Sequence, residues 1–171
     1  MSFGQMIATI AAVFFLVLLI ALLKKLFGGA GPLPYFSQEF LVTRGEHVFY
    51  AALRRALPDH LIICPKVRMC DLIGCSGEGW KAGYGAKISQ KHIDFTLADA
   101  DTTAIALVIE LDDRSHQRAD RIARDEFVDR AFATAGIPML RIPAAPAYDV
   151  KTLRRQIAEL VEDTTLAGSP T

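Results

Sequence analysis

Lys91-His-Ile-Asp-Phe-Thr-Leu-Ala98 and, after five intervening residues, Ala104-Ile-Ala-Leu-Val-Ile-Glu-Leu111 decide the fold of this 171-residue chain. The first stretch alternates polar and apolar side chains, and the second is a β-branched run between turn signals. They read as two strands of a hairpin joined by Asp99-Ala-Asp-Thr102. Upstream, Thr43-Arg-Gly-Glu46 has the form of a capping box, and Phe49, Leu53, Ala56 and Leu57 follow at helical spacing. That pattern predicts a helix from about 44 to 57, ended by Pro58-Asp59. Leu61-Ile-Ile-Cys64 with Val67 reads as a strand, and residues 74–85 as a glycine-rich loop.

Downstream, an amphipathic helix is expected over 117–135, stopping at Gly136. Pro138-Met-Leu-Arg-Ile142 is a short strand and 150–161 a final helix. The order is one helix, three strands, a helix, a strand and a helix. It predicts an α/β sandwich with a mixed sheet, antiparallel at the hairpin and parallel across the helical crossover. No glycine-rich phosphate loop follows any strand, which weighs against nucleotide-cofactor folds.

The chain carries 19 basic and 19 acidic side chains and is 51% hydrophobic, enough for one packed domain and too short for two large ones. Much of the apolar content is local. Met6 to Leu23 is an 18-residue run with Thr9 its only polar member, roughly 27 Å long as a helix and able to cross a bilayer core. Met1 to Gln5 has no Lys or Arg, so the basic start of a signal peptide is missing. Lys24 and Lys25 follow the run instead, and basic residues stay on the cytoplasmic side. A retained anchor with the domain in the cytoplasm is therefore expected; an interfacial helix or a processed leader are the alternatives. The boundaries are an anchor over 1–27, a Gly/Pro tether over 28–36, a domain over 37–163 and a flexible tail over 164–171.

Cys64, Cys70 and Cys75 form no C-x-x-C pair and read as free thiols of a reducing compartment rather than as a zinc knuckle. The domain beyond the anchor has two more acids than bases, so it is no general polyanion binder. Any nucleic-acid contact must use a local basic face, for which Arg114, Arg118, Arg121 and Arg124 are candidates, with Arg54 and Arg55. The competing reading is a solvated helix face, since Asp120 and Arg124, Arg121 and Asp125, and Glu126 and Arg130 are i,i+4 pairs.

Strand alternation places His92, Asp94 and Thr96 on one face, and Ile93, Phe95 and Leu97 on the other. In the next strand Val108, Glu110 and Asp112 share a face, opposite Ile105, Leu107, Ile109 and Leu111. Asp94, Glu110 and Asp112 are thus expected near one another, and repelling acids beside a core need a neutralising cation. Oxygen donors favour magnesium or manganese over zinc. Glu46 lies on the apolar stripe of its helix and points inward, or simply closes the capping box. His116, four residues past Asp112, is placed for proton transfer or a phosphate contact, or is an ordinary surface histidine at a helix start.

Lys91-His-Ile-Asp94-Phe, Val108-Ile-Glu110-Leu-Asp112-Asp-Arg-Ser-His116, Arg124-Asp125 and Gly136-Ile-Pro-Met-Leu-Arg141 together resemble a bacterial domain of unknown function grouped with the PD-(D/E)XK nucleases. The likeness is to members near the very-short-patch-repair endonucleases and covers roughly 37–160. It implies a restriction-endonuclease-like αβββαβ core, preceded here by one transmembrane helix. It also implies Mg2+ (or Mn2+) on Asp94 and Glu110, and a further Glu from the N-terminal helix, here Glu46. The chain departs from that pattern at Asp112, where the superfamily carries a water-activating lysine; Lys91, Lys87 or His116 is left to take its place. The expected function is metal-dependent phosphodiester hydrolysis, DNA being the expected substrate. In it Asp112, His116 or Lys91 handles the attacking water, and Arg114 and Arg118 contact backbone phosphates. The alternative is an inactive nucleic-acid-binding or scaffold module on the same fold.

Overall fold

The structure, a computed structural model of the chain, describes residues 2–27, 32–112 and 119–167. It divides into two compact units, Met1–Gln38 and Glu39–Thr171. In the first unit, helix α1 (Phe3–Phe27) is apolar on every side and carries Lys24 and Lys25 in its last turn. By length and composition it is able to cross a membrane, a property that signal sequences share.

The second unit is built on a four-stranded sheet in the order β1 (Leu61–Arg68), β2 (His92–Asp99), β3 (Ile105–Asp112) and β4 (Met139–Pro143). Strands β1, β2 and β3 pair antiparallel, and β4 lies parallel to β3, the mixed sheet that the element order predicts. The hairpin turn after β2 is closed by Asp99, whose Oδ1 accepts from the Asp101 and Thr102 amides and from the Thr102 hydroxyl.

Helices α2 (Arg44–Ala56) and α7 (Val150–Ala167) cover one face of the sheet. Phe49, Leu53 and Ala56 of α2 and Leu153 and Ile157 of α7 pack there on Phe95, Leu97, Leu107, Ile109 and Ile142. The capping box of α2 is complete: Thr43 Oγ1 accepts from the Glu46 amide, and Glu46 Oε2 accepts from the Thr43 amide at 2.8 Å. Helix α7 runs on to Ala167, taking in the first four residues of the stretch expected as a tail.

The other face is covered as well. Val128 and Phe132 of α6 (Ala119–Ala135), with Met69 of α3 (Met69–Leu72) and Ile88 of α5 (Tyr84–Ser89), pack on Val108 and Ile93. The expected glycine-rich loop is thus partly helical: α4 (Gly77–Lys81) and the start of α5 fall within it and α3 lies just before it, with Ser76 capping α4 through the Gly79 amide. Ile93 corrects the expected alternation of β2. It belongs to the second cluster although Phe95, two residues on, belongs to the first, so the regular alternation fails at Asp94. The cause lies across the ladder. Pro65 pairs with Phe95 and Val67 with Ile93, while Lys66 between them adopts a left-handed backbone, φ 57°.

Candidate functional site

The break in the sheet is where charge collects. Proline before Lys66 fits a bulged strand, and a lysine held at positive φ carries a backbone cost of about 1–2 kcal/mol. Lys66 Nζ donates to Glu46 Oε1 at 2.5 Å and to Asp94 Oδ1 at 2.9 Å. Asp94 Oδ2 accepts from the Leu111 amide at 3.0 Å, just past the last β2–β3 pair, Phe95 with Ile109. The Asp94 carboxylate therefore does the work of a ladder carbonyl where the strands part.

Glu46 serves two purposes that the sequence presents as alternatives. One carboxylate oxygen closes the capping box, and the other points at Lys66. The site is half-sheltered, with side-chain exposures of 15% for Glu46, 18% for Asp94 and 31% for Lys66. Burial alone pulls the Lys66 ammonium down, but the hydrogen bonds to Glu46 and Asp94 and the attraction of both carboxylates outweigh it. The net effect raises Lys66 above the ordinary lysine value. At neutral pH the group is a fixed cation with three N–H donors, two of them committed to carboxylates.

The three expected acids do not form one cluster. Glu110 follows Ile109 in β3, so the β2–β3 register brings it next in line opposite Asp94. Its partner in the parallel ladder is Arg141. Asp112 is drawn the other way: Arg141 Nη1 donates to Asp112 Oδ1 at 2.6 Å, and Arg141 Nε donates to Asp129 Oδ1 at 2.9 Å. Burial lowers the Arg141 pKa, and the bonds to Asp129 and Asp112 more than restore it. Lys91 and Lys87 stand elsewhere, their ammonium groups 5.9 and 5.7 Å from the centre of the Phe127 ring. His116, Arg114 and Arg118 lie outside the described residues.

The neutralising cation that the acids were expected to need is thus, at Asp94, an ammonium of the chain itself. Lys66 is the residue that sequence reading missed. Its one local signal is Pro65-Lys66 interrupting an otherwise apolar strand.

Among the described residues, no group of three or more His, Cys, Asp or Glu side chains is gathered to hold a metal ion. The donor chemistry still fits a hard cation with water or phosphate completing the shell, since Asp94 and Glu110 offer only oxygens. Lys66 and the Leu111 amide each engage one Asp94 oxygen, and a carboxylate oxygen has two acceptor positions. The three cysteines are all free thiols.

A family model spans residues 38–160, from the residue before the second unit to the middle of α7. The chain belongs to the family described as protein of unknown function (DUF2726). All of the site residues named above from Glu46 to Arg141 fall inside that DUF2726 span. No curated protein and no solved structure matches the chain.

Proposed function

We propose that the DUF2726 domain is a restriction-endonuclease-like, PD-(D/E)XK-type domain that hydrolyses phosphodiester bonds in nucleic acid, with DNA as its substrate. The observation that carries this reading is Lys66 bonded to Asp94 where the sheet splays. The resemblance calls for a lysine beside a strand acid, and Asp112 stands in its usual sequence place. Lys66 supplies an ammonium to that acid from the neighbouring strand instead.

Asp94 and Glu110 would hold Mg2+ or Mn2+. A cation bound there would polarise the scissile phosphate and lower the pKa of an attacking water. Lys66 is assigned to charge stabilisation: with two N–H groups bonded to Glu46 and Asp94, its third would meet a water or phosphate oxygen and offset developing negative charge. Glu46 holds the ammonium in place from a helix start that its own capping box makes rigid. His116 is the residue assigned to accept the proton.

A second reading is favoured by a specific observation. Lys66 closes its network with Glu46 and Asp94, and Arg141 closes another with Asp112 and Asp129, so these four acids are compensated without any metal. On that reading the domain binds nucleic acid or a protein without turnover.

Plasmid nicking by the full chain in neutral detergent, with Mg2+ or Mn2+ added, decides between them. Metal-dependent nicking that Asp94→Asn and Glu110→Gln abolish is the expected result; the absence of nicking in the wild type removes the enzyme reading. Helix α1 is proposed as a retained anchor with the domain on the cytoplasmic side, in keeping with Lys24 and Lys25 after the apolar run. Digestion of the domain by protease added outside intact cells would reverse that orientation.

A further inference from the structure

We propose that helices α4 and α5 form a platform for a single-stranded stretch of nucleic acid, Trp80 stacking on a base while Lys81 and Lys87 meet its phosphates. This deepens the nucleic-acid reading above and rests on it. Trp80 is the chain's one tryptophan, and it is 51% exposed. Its seat is nonetheless specific. A Cβ on Gly85 would lie 2.1 Å from the indole Cδ2 and 2.2 Å from Cε3, so the benzo ring rests directly on the Gly85 backbone. The turn that brings α5 back to α4 passes through Gly83 at φ 85°, a conformation that favours glycine.

One part of the indole is therefore fixed on glycine and another is left to solvent. A preset aromatic surface loses little freedom when a ligand stacks on it. Tyr84, 54% exposed, opens α5 after the Gly83 turn, with Lys87 Nζ 5.1 Å from its ring centre.

Basic groups predominate around these rings. Residues 78–93 contain Lys81, Lys87, Lys91 and His92 against one acid, Glu78 in the first turn of α4, in a domain that is slightly acidic overall. Cations interleaved with exposed aromatics suit a polyanion that carries flat bases. An outward indole stacks only on a base whose face is uncovered, which selects single strands over duplex.

A lipid surface is the competing partner. Interfacial insertion asks for a broad apolar face, and on this segment Trp80 and Tyr84 are the only exposed large apolar side chains. The platform also leads to the proposed site. The Met69 amide donates to the Lys91 carbonyl at 2.9 Å, tying the end of this segment to the end of β1. His92 then begins β2 two residues, roughly 7 Å, before Asp94.

The test uses the full chain in nanodiscs of neutral lipid, without divalent metal, and reads Trp80 emission during titration with oligothymidylate. Quenching is expected, with affinity that falls as salt rises and clearly exceeds that for duplex of equal length. Trp80→Ala should weaken oligonucleotide binding about tenfold or more, measured by anisotropy, and Trp80→Phe should restore most of it. Gly85→Ala, which displaces the indole, should weaken it comparably. If that variant does not fold, Lys81→Ala with Lys87→Ala gives an independent check through a smaller salt slope. Unchanged affinity in Trp80→Ala, equal quenching by duplex, or emission shifted by phosphatidylserine vesicles but not by oligonucleotide overturns the proposal. Binding without any nicking would leave the platform standing and sink the nuclease, whereas nicking without a Trp80 response would do the reverse.

Discussion

Two carboxylate–cation networks flank β3, and they are built in opposite ways. Arg141 reaches Asp112 and Asp129 from an ordinary position in the parallel β3–β4 ladder, in which Glu110 pairs with Arg141 and Asp112 with Pro143. Lys66 reaches Asp94 and Glu46 from a left-handed backbone, at a place where strand alternation breaks and an aspartate substitutes for a ladder carbonyl. The first network is what regular secondary structure provides at no conformational cost. The second is maintained against a backbone preference, and residues held in sparsely populated conformations concentrate where function requires them. This contrast is the reason for placing the proposed chemistry at Lys66 and Asp94 and for treating Asp112 and Arg141 as a tie between β3, β4 and α6.

The sharpest way to break the contrast is a pair of matched substitutions. Asp94→Asn should reduce metal-dependent nicking by about 10²-fold or more, and Lys66→Met should do the same, because each removes charge at the proposed reacting centre. Asp112→Asn should cost less than about tenfold, a far smaller change than a positioned acid–base group contributes. Nicking rates under single-turnover conditions measure both. If Asp112→Asn proves as damaging as Asp94→Asn, the two networks are one site and the division drawn here is wrong.

Stability should show the reverse order. Arg141→Met leaves Asp112 and Asp129 without their shared partner and is expected to lower unfolding free energy by about 1–2 kcal/mol, since the ion pairs are partly exposed and screened. Nicking by the folded variant should stay near wild type. Urea denaturation of the full chain in detergent, with nicking assayed on the same sample, reads both quantities.

The difference between the networks also explains what the sequence could disclose. The order of the four strands and of helices α2, α6 and α7, the Thr43–Glu46 capping box and the position of Asp94 and Glu110 on adjacent strands follow from local periodicity and spacing, and the structure has all of them. Lys66 was not legible as a site residue because its role depends on one backbone torsion and on a partner 28 positions away. Arg141 and Asp112 are 29 apart and meet only through parallel pairing, which no local pattern announces. Helices α4 and α5 were hidden by glycines. Two of these, Gly83 and Gly85, are needed by the turn and by the Trp80 seat rather than by a flexible loop.

A smaller effect tests whether Lys66 is truly strained. Lys66→Ala and Lys66→Gly both delete the ammonium and its bonds to Glu46 and Asp94, so the loss of the ion network is common to them. They differ in the backbone, because glycine accepts φ 57° and alanine does not. Lys66→Gly should therefore be the more stable of the two by about 1 kcal/mol, opposite to the usual ranking of the pair in a strand. Equal stabilities, or a more stable alanine variant, would show that the left-handed conformation at Lys66 carries no cost.

The smallest expected effect concerns a carboxylate that belongs to neither network. Asp149 caps α7: its Oδ2 accepts from the Thr152 amide at 2.8 Å, and the Thr152 hydroxyl and amide together hold its pKa below the ordinary carboxylate value of 3.8. Because the folded-state value is the lower one, the stabilisation is fully present above the unfolded-state value and disappears as pH falls through the folded one. Asp149→Ala should consequently lower Tm slightly at neutral pH, and the gap between variant and wild type should close on titration below about pH 4. The Lys66 network has the opposite sign, its raised ammonium pKa placing any loss on the alkaline side. Thermal melts of Asp149→Ala and Lys66→Met across the full pH range should therefore rejoin the wild type at opposite ends. An Asp149→Ala gap that persisted in acid would mean the cap acts by packing or backbone geometry, and that its charge is irrelevant.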